Sequence, residues 1–189
     1  MTYNLFEHRH RFSAWAAARA AQRGLLTGTI ERCGDALRYA KLKEFVQEKA
    51  GQQITNTMFD KLHREWCEQV VCYFGKNGVS ANINNRAAKM YGRAAKLVGV
   101  YLKCMVVIGP SAKTQLAHVA HPPIDSNLLK ELAKVPGISP KAKKTFSDTR
   151  WTDLDFDGYD NLIETIRAEE KLQEDIDPFW RLERYWPKL

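Results

Sequence analysis

Two residues in this chain have the types and settings for covalent chemistry at an electrophilic carbon. Lys96, in "GRAAKLVGVYLK", stands inside a helical stretch whose basic residues recur along one side. Asp125, in "AHVAHPPIDSNLLKEL", stands behind two prolines at the mouth of another helix. A lysine amine becomes a nucleophile once it loses its proton, and nearby cations with partial burial favour that loss. A carboxylate at a desolvated corner stabilises positive charge as it develops on a reacting carbon. Each residue also has a plain reading. Lys96 serves as a phosphate contact, and Asp125 as an N-cap that accepts the N–H groups of Asn127 or Leu128 and opposes the helix dipole.

The charge pattern around them is uneven. Residues 69–124 contain no Asp or Glu, while Lys76, Arg86, Lys89, Arg93, Lys96, Lys103 and Lys113 fall among them. The net charge of +7 divides into 23 basic against 10 acidic residues up to position 145, and 6 against 12 beyond it. A gap of this kind suits a surface facing a polyanion, because every carboxylate near a phosphate weakens the attracting field. At about 100° per residue, Arg86, Lys89, Arg93, Lys96 and Lys103 share one helix face. Ala87, Tyr91, Ala94, Val98, Tyr101, Leu102 and Met105 line the other. A face that is merely solvated usually mixes both signs. Arg86, Lys89, Arg93, Lys103 and Lys113 are therefore the expected nucleic-acid contacts.

The elements that must position these residues read as a succession of helices. Residues 6–24 are Ala-rich and stop at Gly24; 35–50 form a weaker helix between Gly34 and Gly51. Phe59, Leu62, Trp66, Val70 and Tyr73 step by three or four and mark an amphipathic helix ending near Gly75. A turn-rich loop over 75–85 leads to the longest candidate, 84–108. Beyond "GPSAKTQ" come a short helix near 112–119, the "HPPID" corner, a helix over 126–135, a turn at Pro136–Gly137 and a basic helix over 140–147. An acidic amphipathic helix follows, marked by Tyr159, Leu162, Ile163 and Ile166. "VGVYLKCMVVIG" has the β-branched content of a strand but no alternating partner. The expected fold is an all-α, compact helical bundle forming one domain over 1–189, its acidic, aromatic segment 148–189 packing on the basic body.

The chain is long enough to bury a core without disulfides. Cys33, Cys67, Cys72 and Cys104 form no CxxC and sit in apolar helical patterns, so free thiols are expected. His63 and Cys67 are four apart, and His8 and His10 lie close together, but these spacings read as structural; no metal or cofactor is expected. No apolar run approaches the roughly 20 residues of a membrane span, and the N-terminus lacks the apolar core of a secretion signal. The expectation is a cytoplasmic protein with no membrane partner.

"GRAAKLVGVYLK" and "HPPIDSNLL", over about residues 92–132, resemble the core of the helix-hairpin-helix DNA glycosylases. A glycine precedes a helical lysine, an apolar helix follows, and a hydrophobic-Pro-x-Asp corner opens the next helix. The resemblance implies a helix-hairpin-helix glycosylase-like fold and base excision from double-stranded DNA. Lys96 would add to the sugar, with abasic-site lyase activity following, and Asp125 would be the catalytic carboxylate. The sequence departs from the family in three ways. The hairpin before the lysine is reduced to Gly92, the interval to Asp125 is long, and the hairpin-like "VPGISPKAK" (135–143) follows Asp125, with Ser139 in place of its second glycine.

Such an enzyme extrudes its target nucleotide and reads the base by stacking and edge hydrogen bonds. Trp15, His121, Trp151 and Trp180 are the candidate base-pocket residues, set against the common role of tryptophan in a core. The other reading is a non-catalytic nucleic-acid-binding or protein-interaction module. Its acidic tail would contact a basic partner or fold over the cationic face in place of phosphate.

Overall fold

The computed structural model of the protein describes residues 3–22, 25, 29–80 and 90–187, and among these every regular element is helical. Helix α1 (Leu5–Ala21) begins where the Asn4 side chain accepts the Glu7 N–H. Helices α2 (Ile30–Tyr39) and α3 (Leu42–Lys49) follow, then the long α4 (Asn56–Lys76) behind its Thr55 cap. Helix α5 (Tyr91–Leu102) runs on into a π-turn, Lys103–Val107. Helices α6 (Gln115–Val119), α7 (Ser126–Leu132), α8 (Pro140–Asp148) and α9 (Phe156–Ala168) complete the set, with 3₁₀ turns at Trp151–Asp153, Glu170–Asp175 and Phe179–Tyr185.

Helix α5 is the axis of the molecule. It packs most extensively on α1, and also on α4 and the Trp151–Asp153 turn. Small residues permit this: Ala17, Ala18 and Ala21 on α1 meet an α5 whose Gly92, Ala94, Ala95 and Gly99 are buried. Only Lys96 and Val100 on α5 retain more than slight exposure. Leu97, Val98 and Leu102 lie in the core, each contributing about 1.5–3 kcal/mol relative to an exposed side chain. One connected set of buried apolar residues extends from Ala17 to Leu182, taking in the expected stripe Tyr159, Leu162, Ile163 and Ile166.

Some expected boundaries move. Residues 35–50 form parts of two helices instead of one, because the chain turns at Lys41 with φ 54°. That left-handed conformation is uncommon outside glycine, and no glycine or asparagine marks it. The acidic helix starts at Phe156, behind an Asp155 cap, and the residues before it form the Trp151–Asp153 turn. Residues 84–89 of the expected long helix, with the candidate contacts Arg86 and Lys89, lie outside the described residues. "VPGISPKAK" is a turn after α7 that runs into the start of α8: Gly137 takes φ 79° and Ser139 caps α8. Its amide is already occupied, since Glu169 accepts both the N–H and the hydroxyl of Ser139.

Candidate active site

Lys96 lies one turn from Gly92 and three residues from Gly99, and both glycines allow close approaches to α5. A Cβ on Gly92 would lie 1.8 Å from the Trp151 carbonyl oxygen, and Gly92 N–H donates to the Leu154 carbonyl oxygen at 3.1 Å. A Cβ on Gly99 would lie 3.3 Å from Pro123 Cα. The first approach lays the Trp151 ring beside Lys96, with Nζ 4.6 Å from the ring centroid. The second seats the Pro122–Pro123 corner against the same side of α5 and delivers Asp125.

The two candidate catalytic residues therefore meet. Lys96 Nζ donates to Asp125 Oδ2 at 3.1 Å, and their side chains are 12% and 10% exposed. Asp125 is also the N-cap of α7, its Oδ1 accepting the N–H groups of Asn127 and Leu128, each at 3.0 Å. A third donor, Trp186 Nε1, reaches Oδ1 at 3.1 Å. Burial pushes the Asp125 carboxyl up, but the Leu128 N–H, the Lys96 charge and hydrogen bond and the Trp186 indole outweigh it. The net result holds Asp125 below the ordinary carboxylate range. The carboxylate is thus kept ionised in a place where solvent does little of the work.

The pair sits at the edge of a cavity of about 350 Å³ lined by Ala20, Val100, Lys103, Cys104, Pro123, Glu183 and Trp186 as well as Lys96 and Asp125. That volume lies in the range of roughly 300–1,000 Å³ common for small-molecule sites. Lys103 crosses it to pair with Glu183 at 2.6 Å. Burial pushes the Cys104 thiol up, which favours its protonated form. Two larger hollows, of about 540 and 430 Å³, are more open to solvent and lie away from this pair.

The remaining candidates are dispersed. Arg93, expected on the cationic face, turns inward: it is 4% exposed and its Nη1 donates to the Thr152 carbonyl oxygen at 2.8 Å. It ties the Trp151–Asp153 turn to α5. The uniform stripe is thereby corrected, because α5 is covered on too many sides for every basic residue to reach solvent. Lys103 does share the Lys96 cavity, and Lys113 is exposed in the loop before α6.

None of the four candidate base-pocket residues lines the cavity. Trp151 is buried with its ring beside Lys96, Trp180 packs against the core, and Trp15 lies on the outer side of α1. His121 is buried in a polar network. Its Nε2 meets Asp60 Oδ1 at 2.9 Å and its Nδ1 meets the Tyr159 hydroxyl at 3.2 Å. Arg167 grips both Asp60 oxygens, at 2.7 and 2.9 Å, and His63 stacks on Tyr159. Standing four residues before Asp125, His121 fastens the corner to α4 and α9. The aromatic that does reach the cavity is Trp186. Its sequence setting, the last of a run at helical spacing, reads only as packing.

Among the described residues no helix is long and apolar enough to cross a membrane, and no three His, Cys, Asp or Glu side chains cluster to hold a metal ion. The fold and site define an all-α protein with a lysine–aspartate pair at the edge of a partly open cavity. No family model, curated protein or solved structure matches the chain.

Proposed function

We propose that the protein is a DNA glycosylase with abasic-site lyase activity, in which Lys96 is the nucleophile and Asp125 the catalytic carboxylate. The observation that carries this reading is the 3.1 Å contact between Lys96 Nζ and Asp125 Oδ2 at the edge of a cavity. A lysine and an aspartate 29 positions apart have no local reason to meet, and an N-cap needs no buried amine.

The chemistry follows from the donor set. A nucleotide turned out of the duplex places its base in the cavity, where Trp186, Pro123 and Val100 offer apolar surface and the Lys103–Glu183 pair offers polar groups. The Asp125 carboxylate takes the proton of the Lys96 ammonium and remains beside the sugar. The free amine attacks C1′; the N–C1′ bond forms, the glycosidic bond breaks, and its electron pair leaves on the base, which is then protonated. Asp125 passes that proton to the departing base and, ionised again, stabilises the positive charge developing on the sugar and carries a proton from the new C1′ ammonium to O4′ as the ring opens. Ring opening gives an imine between Lys96 and C1′. Loss of a C2′ proton then expels the 3′ phosphate, cutting the strand without an external cofactor.

Borohydride reduction on duplex DNA containing an abasic site tests the reading. The wild-type chain should give a covalent adduct, retained in Lys103→Ala and lost in Lys96→Ala. Salt-dependent binding with no adduct from the wild-type chain would instead favour the non-catalytic binding module.

A further inference from the structure

The charges of the Lys96–Asp125 cavity are matched, cation to carboxylate. Asp125 faces Lys96 at 3.1 Å and Glu183 faces Lys103 at 2.6 Å, and all four residues line the same cavity of about 350 Å³. Lys96 and Lys103 stand seven positions apart, on one side of α5 and the π-turn that continues it. The rest of the wall is apolar, from Ala20, Val100, Pro123 and the Trp186 indole, with the Cys104 thiol among them.

This balance selects among the small molecules that could meet the amine. An anion gains Lys103 only by expelling Glu183, and a cation gains a carboxylate only by expelling a lysine. Either exchange leaves a partly buried charge unpaired, which is costly. A neutral molecule expels neither partner, and its apolar body suits the rest of the wall. We propose that the cavity accepts free, uncharged aldehydes with a compact apolar body, and that Lys96 condenses with them to an iminium in the absence of nucleic acid. The amine chemistry rests on the reading of Lys96 as nucleophile and Asp125 as its proton acceptor given above, and is independent of DNA.

Asp125 takes a proton from the Lys96 ammonium, and the amine adds to the carbonyl carbon as the C=O π pair moves to oxygen. That oxygen takes the proton from Asp125. A second proton passes from nitrogen through Asp125 to the new hydroxyl, which departs as water while the nitrogen lone pair closes the C=N bond. One ammonium and one aldehyde thus give one iminium and one water, with no oxidant or cofactor. The positive charge stays on Nζ, so the iminium keeps both neighbours of the ammonium, the Asp125 carboxylate and the Trp151 ring.

The test treats the full chain with benzaldehyde or 4-formylbenzoate in the presence of cyanoborohydride, which reduces the iminium to a stable amine, and follows labelling at each lysine by peptide mass mapping. Lys113, exposed in the loop before α6, is the reference within the same molecule, so differences in aldehyde reactivity cancel. Benzaldehyde should label Lys96 about tenfold or more faster than Lys113, and benzyl alcohol, neutral and unreactive, should protect Lys96 alone of the two. The same ring with a charge, 4-formylbenzoate, should show no preference for Lys96. Glu183→Gln, which frees Lys103, should raise the Lys96-to-Lys113 ratio for 4-formylbenzoate several-fold and leave that for benzaldehyde little changed. Asp125→Asn, a side chain that caps a helix equally well, should abolish the benzaldehyde preference.

Equal labelling of Lys96 and Lys113 by benzaldehyde in the wild-type chain would overturn the proposal. So would a wild-type preference for 4-formylbenzoate, which would mark an anion site. Selective benzaldehyde labelling of a chain that gives no borohydride adduct with abasic DNA would keep the aldehyde site and remove the glycosylase reading. An abasic-site adduct without selective benzaldehyde labelling would do the reverse, and absence of both adducts would remove both.

Discussion

Trp186 Nε1 hydrogen-bonds Asp125 Oδ1 at 3.1 Å, so the C-terminal segment holds one oxygen of the carboxylate whose other oxygen holds Lys96. The bond helps to keep Asp125 below the ordinary carboxylate range. Trp186→Phe keeps an aromatic wall and removes the donor, so the Asp125 carboxyl should rise. The acid limb of the pH–activity profile should move to higher pH. At neutral pH the rate should fall by roughly threefold, the scale of one ordinary hydrogen bond of about 0.5–1.5 kcal/mol. An unmoved acid limb would show that the indole does not tune this group.

Gly92 and Gly99 make contrasting predictions because their obstacles differ. At Gly92 an added Cβ meets the Trp151 carbonyl oxygen at 1.8 Å, a backbone atom that only a shift of the whole turn can relieve. Gly92→Ala should cost at least the roughly 1–3 kcal/mol of an overpacked core. For a chain of this size each kcal/mol lowers Tm by roughly 2–4 °C. At Gly99 the 3.3 Å contact with Pro123 Cα needs a shift of only tenths of an ångström. Alanine there recovers about 0.5–1 kcal/mol of helix preference. Gly99→Ala should therefore melt near the wild-type chain yet lose activity, since the moved corner carries Asp125. Equal melting of the two variants would contradict this account.

The contrast between these glycines also explains what the sequence could and could not reveal. The Asp125 cap was legible because capping is local: a small acceptor followed by "SNLLKEL" is enough. Its meeting with Lys96 depends on two close approaches to α5 from segments 24 and 59 positions beyond the glycines they touch. Arg93 misled for a related reason. A helical projection gives direction about the axis but not how many neighbours surround the helix, and α5 is covered on all but its Lys96–Val100 side. Helix existence was legible from apolar spacing. The break at Lys41 was not, because a lysine at φ 54° is set by the packing on either side of it.

The Lys103–Glu183 pair makes a prediction about binding. Lys103 is expected to meet nucleic acid, yet in the free protein a carboxylate of the acidic tail holds it at 2.6 Å. Glu183→Gln removes the competing charge and keeps the side-chain volume. Affinity for abasic-analogue duplex should rise by a few-fold, with a salt slope steeper by about one phosphate contact. Lys103→Ala should lower the affinity and flatten the slope while retaining the borohydride adduct. A Glu183→Gln chain that binds no better would place Lys103 away from phosphate.

The buried network behind the corner sets how stability depends on pH. Burial, the largest influence on each, pushes His63 and His121 of this network, and His10 beside the Tyr101 hydroxyl, below the ordinary histidine range, so the folded chain holds them neutral. Their unfolded counterparts take up protons near pH ~6.5. Below that pH the unfolded state binds more protons than the folded one, and stability falls as pH falls. Asp60 adds a second, more acidic step with the same sign. Burial raises its carboxyl, but hydrogen bonds from His121 and Arg167, with the Arg167 charge, outweigh this and hold it well below the ordinary range. Its contribution is complete above the unfolded value of about 3.9 and is lost as pH drops below it. Thermal melts from pH 8 to 3 should be level above about pH 7, decline from about pH 6.5 and steepen below about pH 4. His63→Phe should make the first decline shallower without altering the second. A wild-type Tm that stays level from pH 7 to 5 would mean that these histidines are protonated inside the folded protein.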